Sequence, residues 1–227
     1  MTGASAKEPE TPKCPARTLS NLALPIFGVP LAFESVEEYS TRLGDGTTKR
    51  DVATVRTYRD AAGRMRIERN IDSPDGPVAL IQIFDYADGF MALLDNGSKT
   101  AHRVAIPKPE QLGAQWKFML LGGPLVALPG EKNFNAESLG TQTIAGTEFE
   151  GHRLTTTMQD DPSLKGIQEH WMSMELGLIG LMSSSGPDAE ESTVRIQRLE
   201  RTEPDPVLFV IPSDYSVQDL GSLGPDV

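Results

Sequence analysis

A single mainly-β domain is what this sequence predicts, and three observations predict it. From Leu31 onward, apolar and polar residues alternate with period two, the pattern of strands whose side chains point to opposite faces in turn. Gly-Asp-Gly, Asp-Gly and Asn-Gly steps interrupt that alternation at hairpin intervals. Only 107–138 breaks the rhythm with helical spacing. The 227 residues suffice for one large β domain or two small ones. Neither a repeat nor a linker divides them, so one domain is expected.

The elements follow in order. Residues 1–30 carry Pro9, Pro12, Pro15, Pro25 and Pro30 among Ser, Thr, Glu and Lys, a density that blocks ladders and helices. A flexible segment is expected there, with the more apolar "LALPIFGVP" suited to docking on the domain. "LAFESVEEYSTRL" is the first strand and ends at Gly44-Asp45-Gly46. "TKRDVATVRTYRD" is the second, with Ala61 to Gly63 as its turn. "RMRIERNID" sets Met65, Ile67 and Ile71 on one face and Arg64, Arg66, Glu68 and Asn70 on the other. After "SPDGP" come "VALIQIFDYADG" and "FMALLDNG", then "KTAHRVAI", which groups His102, Val104 and Ile106. This rhythm is an antiparallel meander.

Segment 107–138 has Leu112, Gln115, Trp116, Met119 and Leu120 at helical spacing, followed by Gly122, Gly123, Pro124, Pro129 and Gly130. One short amphipathic helix and an apolar Gly/Pro loop are expected. A long insertion between strands is uncommon unless it works or packs, and this one is apolar enough to cover something. A second β half follows: a hairpin turning near Ala145-Gly146, two strands joined at Glu175 to Gly177, and "STVRIQRLER".

Charge narrows the function classes. A formal net charge of −11 argues against nucleic acid, whose phosphates need clustered Lys and Arg, and disfavours anionic lipid surfaces. No run reaches the roughly 18 apolar residues of a membrane helix. No signal peptide is visible, and "MTGASAKEPETPKCPAR" reads as a polar leader behind a removed signal, with Cys14 an incidental thiol. A sole cysteine forbids an internal disulfide.

Catalytic signatures are weak. His102, His152 and His170 are too few and too scattered for sequence to show a metal site, although neighbouring strands would bring His152 and His170 together. There is no Gly-x-Ser-x-Gly elbow, and Ser183 to Gly186 reads as a strand end. Adjacent acids such as Glu37-Glu38, Asp160-Asp161 and Glu190-Glu191 point to opposite faces where they lie on a strand and read as solvated charge where they lie in loops. The basic cluster Arg56, Arg59, Arg64, Arg66 and Arg69 is expected to pair across strands with Asp60, Glu68 and other acids. No cofactor and no enzymatic activity are expected.

Three stretches carry a resemblance. "VRTYRDAAGRMRIER", "EHWMSMELGLIGLMSSSG" and "RLERTEPDPVLFVIPSDYSVQD" resemble exported bacterial proteins of the lipoprotein-carrier (LolA/LolB-like) half-barrel superfamily. The resemblance implies one curved antiparallel sheet, a half-barrel, with one to three short helices covering the concave face. It sets the domain at 31–219, between the Pro-rich 1–30 and a tail at 220–227. It also implies a periplasmic or extracellular location and a lipid or other apolar ligand. An envelope protein partner is the alternative. Trp116, Met119, Leu120, Leu125, Leu128, Trp171, Met172 and Met182 are the expected cavity lining, methionine being adaptable to varied apolar ligands; the same residues would also serve as plain core. In that frame Pro204 and Pro206 end the last ladder, and Phe209 is expected to drop into the open end of the barrel, a burial of about 2–3 kcal/mol.

Overall fold

Strands β1 (Leu31–Arg42), β2 (Thr48–Arg59), β3 (Met65–Ile71), β4 (Val78–Asp85), β5 (Phe90–Asp95) and β6 (Thr100–Ala105) form one antiparallel meander. A second meander comprises β7 (Phe134–Ile144), β8 (Thr147–Thr157), β9 (Lys165–Ser173), β10 (Leu178–Ser185) and β11 (Glu190–Glu200). The last strand is β12 (Ser216–Ser222). These come from a computed structural model that describes residues 28–42, 45–71, 78–108, 134–157, 165–186 and 190–222. β11 pairs antiparallel with β1 and so fuses the two meanders. The result is one open, curved sheet in the order β12-β6-β5-β4-β3-β2-β1-β11-β10-β9-β8-β7, the half-barrel form expected from the sequence.

Turn chemistry fixes the register. Asp60 closes the β2–β3 turn: its carboxylate accepts from the Arg64 amide at 2.8 Å, and Gly63 takes a left-handed φ of 80°. Asp85 and Asp95 do the same work, accepting from Asp88 N at 2.9 Å and from Gly97 N at 2.8 Å. The β7–β8 hairpin turns on Ala145 (φ 48°) and Gly146 (φ 79°), two left-handed residues whose twist matches that of the flanking strands.

Cross-strand partners share a face, so register defines two. The face carrying Leu31, Phe33, Val55, Met65, Ile67, Val194 and Ile196, all buried, is here called inner. On the opposite face Ile83, Ala92, Leu94 and Ala101 form a second core, covered by Ile211 and Tyr215 of the C-terminal segment.

That segment departs from expectation in two ways. Asp205 caps a short 3-10 turn (Pro206–Phe209), its carboxylate accepting from Val207 N at 3.0 Å. Phe209 is buried as expected, but under the Arg64 guanidinium at 5.2 Å, while Arg66 Nη1 donates to Leu208 O at 3.1 Å. Arg66 pairs with Ile83, so the latch crosses the outer face rather than entering the hollow. The inner end it was expected to plug is already filled by Arg59 and the Leu176–Gly177 turn. The chain then delivers β12 parallel to β6, where Ser216 N donates to Lys99 O at 2.8 Å and Arg103 Nε to Asp219 at 2.6 Å. The sheet is therefore mixed, with one parallel pair that the alternation did not foretell.

No α-helix lies among the described residues. The helix expected near Leu112 to Leu120 falls outside them.

Candidate ligand-binding face

The inner face changes polarity along its strands. On β1 the inward positions read Leu31, Phe33, Ser35, Glu37, Tyr39; on β2, Arg59, Thr57, Val55, Ala53; on β3, Met65, Ile67, Arg69, Ile71; on β11, Ile196, Val194, Ser192. On β1 and β11 one end is therefore apolar and the other polar, while Ala53 and Ile71 keep the neighbouring strands apolar past the change. The change occurs at a buried ion pair: Arg69 Nη2 meets Glu37 Oε1 at 2.8 Å, and the Tyr39 hydroxyl donates to Glu37 Oε2 at 3.1 Å. Glu37 is 2% exposed and Arg69 8%. Taking such a pair out of water costs several kcal/mol per ion before the attraction offsets it, so this pair is a weak source of stability. Beyond it, Ser184 and Ser192 hydroxyls bond each other at 2.8 Å.

The far wall of the same face is built by β8 to β10. Val194 pairs with Met182, Met182 with His170, and His170 with His152, which puts all four on the inner side with Met172 beside them. The sequence expectation that His152 and His170 meet is thus fulfilled. Among the described residues no group of three or more His, Cys, Asp or Glu is placed to hold a metal ion. Burial, and secondarily the neighbouring His152, push the His170 imidazole down to about 4, so it is neutral at neutral pH.

Of the expected cavity residues, Met172 and Met182 face inward, half-buried against the main core. Trp171 packs on that core too, but register sets it on the opposite side with Leu181, its ring lying over Gly151. A Cβ at Gly151 would sit 2.6 Å from that ring, and one at Gly180 would sit 2.8 Å from Phe149. Trp116, Met119, Leu120, Leu125 and Leu128 lie outside the described residues.

The arginines split between the faces. Arg56 pairs across strands with Glu34 at 3.0 Å as expected, whereas Arg64 meets Asp60 at 2.6 Å within its own turn and Arg66 meets Glu68 at 2.6 Å along its own strand, because these acids lie only four and two residues away. Arg59 and Arg69 instead point inward, by the same parity as Met65 and Ile67. Arg59 is fully buried and donates to Val29 O at 2.9 Å, Leu176 O at 2.6 Å and Gly177 O at 3.3 Å. It ties the entry to β1 to the β9–β10 turn. Burial lowers its pKa to about 10, which leaves it charged at neutral pH.

On the outer face a groove of about 550 Å³ runs beside Glu137, Arg153, Glu169 and Ser183. Arg153 bridges Glu137 at 2.6 Å and Glu169 at 2.7 Å, a strut across three strands. The groove is polar, its floor already paired, and suits water better than an apolar ligand.

No protein-family model matches the chain, and no curated protein sequence does. Solved structures do. A LolA superfamily protein from Nitrosomonas europaea is 7% identical over 83% of this chain and 92% of that one, with a TM-score of 0.37. Lipoprotein LppX of Mycobacterium tuberculosis is 9% identical over 78% and 90%, with a TM-score of 0.36. A putative outer membrane lipoprotein-sorting protein domain from Vibrio parahaemolyticus is 8% identical over 79% and 88%, with a TM-score of 0.34.

Proposed function

We propose that this chain is an exported, non-enzymatic binding protein that holds a lipid or other apolar ligand against the inner face of its sheet. The observation that carries the reading is the inner face itself: buried apolar side chains at Leu31, Phe33, Met65, Ile67 and Ile196, interrupted by the buried Glu37–Arg69 pair, with Tyr39 and Ser192 beyond it on β1 and β11. A face meant only as core gains nothing from a buried ion pair at its middle. Met172 and Met182 add flexible thioether stems that adapt to varied chains. Each acyl CH₂ so buried contributes about 0.8 kcal/mol before association costs. The exported location rests on the three resembling stretches.

The test is titration with an environment-sensitive apolar dye, such as N-phenylnaphthylamine, followed by displacement with an acyl chain. Saturable enhancement that Met182→Gln weakens supports the reading. Enhancement identical in Met182→Gln, or none, removes the inner face as the site.

One observation favours a second reading, an interaction module for an envelope protein. β12 is exposed along its whole length, with Val217 and Leu220 bare, and among the described residues its outer edge has no strand beside it. Such an edge accepts a partner strand. Capture of an envelope protein that is lost with Val217→Lys, with acyl-chain displacement unchanged, would favour this reading.

A further inference from the structure

The inner face holds an unmet hydrogen-bond donor at the point where its polarity changes. Arg69 is more than nine-tenths buried, its Nη2 is committed to Glu37, and its Nε has no partner. Among the described residues the other buried side-chain atom without one, His170 Nδ1, lies on the same face. Buried polar atoms without hydrogen-bond partners are rare and costly, so two on one face mark a surface built to meet something.

We propose that Arg69 Nε receives the neutral carbonyl oxygen at the head of an acyl chain, an ester or an amide, whose tail runs toward Leu31, Met65 and Ile67. This rests on the binding reading above and specifies its ligand. Geometry supports the direction, because the buried apolar positions of β1 and β3, Leu31, Phe33, Met65 and Ile67, lie on one side of Arg69 along the strands, with the half-buried Ile71 beyond it. Charge supports neutrality. The Arg69 guanidinium is already compensated by Glu37, so an anionic head would meet an adjacent buried carboxylate and an overall charge of −11. A carbonyl oxygen needs one donor and brings no charge, which is what Nε offers.

The test compares dissociation constants of methyl dodecanoate, N-methyldodecanamide, dodecanoate and dodecane for the wild type and Arg69→Lys. Lysine keeps the charge for Glu37 but lacks the fixed second donor. The expected result is an approximately tenfold loss of ester and amide affinity in Arg69→Lys, with dodecane moving less than about twofold. Ester against amide tells which acyl class fits better. The double variant Glu37→Leu/Arg69→Met, an apolar replacement of the pair, repeats the test should lysine disturb the fold, and dodecane binding reports that the face is intact. Equal losses for all four ligands, unchanged ester affinity, or tightest binding by dodecanoate would overturn the carbonyl proposal while leaving apolar binding in place. Failure of every probe, dodecane included, to bind the wild type would overturn both.

Discussion

Replacing Arg59 by methionine removes a tie between two distant parts of the chain. The guanidinium is the largest fully buried side chain and bonds three carbonyls, at Val29, Leu176 and Gly177. Methionine refills much of the volume but leaves those carbonyls without their donors, each costing about 1–3 kcal/mol when buried. The costs do not add fully, because the turn can shift toward water. We expect a net loss of about 3–5 kcal/mol, the range for breaking a buried charged network. With a urea m-value of about 2 kcal/mol/M, the unfolding midpoint should fall by about 1.5–2.5 M at unchanged m. Circular dichroism through urea titration measures this. Arg59→Lys should sit between the two, since an ammonium reaches fewer than three carbonyls. A midpoint shift in Arg59→Met below about 0.3 M would refute the reasoning and mean that apolar packing alone fixes the β9–β10 turn.

Three further outcomes follow from particular contacts. Gly151→Ala should cost about 1–3 kcal/mol and shift the tryptophan emission, because its Cβ would lie 2.6 Å from the Trp171 ring; unchanged emission and midpoint would show that the ring does not rest there. Ala145→Asn should raise stability by about 0.5–1 kcal/mol by placing an asparagine at a left-handed φ of 48° that alanine tolerates poorly, read as an increased urea midpoint. His170 has its folded pKa lowered to about 4 from 6.5, so the unfolded chain takes up the proton first as pH falls. Its contribution is complete above about pH 6.5, is reduced by about 2 kcal/mol at pH 5, and is lost fully near pH 4. Unfolding free energies at pH 7.5 and pH 5 should therefore differ less in His170→Gln than in the wild type.

Much of the architecture was legible because period-two alternation and Asp/Gly turns are local signals. The strands through Leu31, Val55 and Met65, the turn at Ala145-Gly146 and the join at Glu175 to Gly177 all stand where those signals put them. β12 was not legible: its parallel pairing with β6 depends on a crossing of the outer face that no local pattern encodes. The Phe209 site was misread for the same reason, since burial follows from hydrophobicity but the face does not. The candidate site was half legible. The inward placement of Met172 and Met182 follows from strand parity, as does the exclusion of Trp171 from their side. Arg69 carried a readable signal too, sharing parity with Met65 and Ile67, yet a charged residue in a run of arginines reads as solvent-facing until Glu37 is seen opposite it.

Native mass spectrometry of the protein purified from its native source under mild conditions tests the central claim most directly. The account predicts a mass adduct of acyl-lipid size that survives gentle ionisation, leaves on denaturation, and is diminished in Met182→Gln. The bare chain mass alone, under conditions in which a lipid-loaded control retains its lipid, would contradict it.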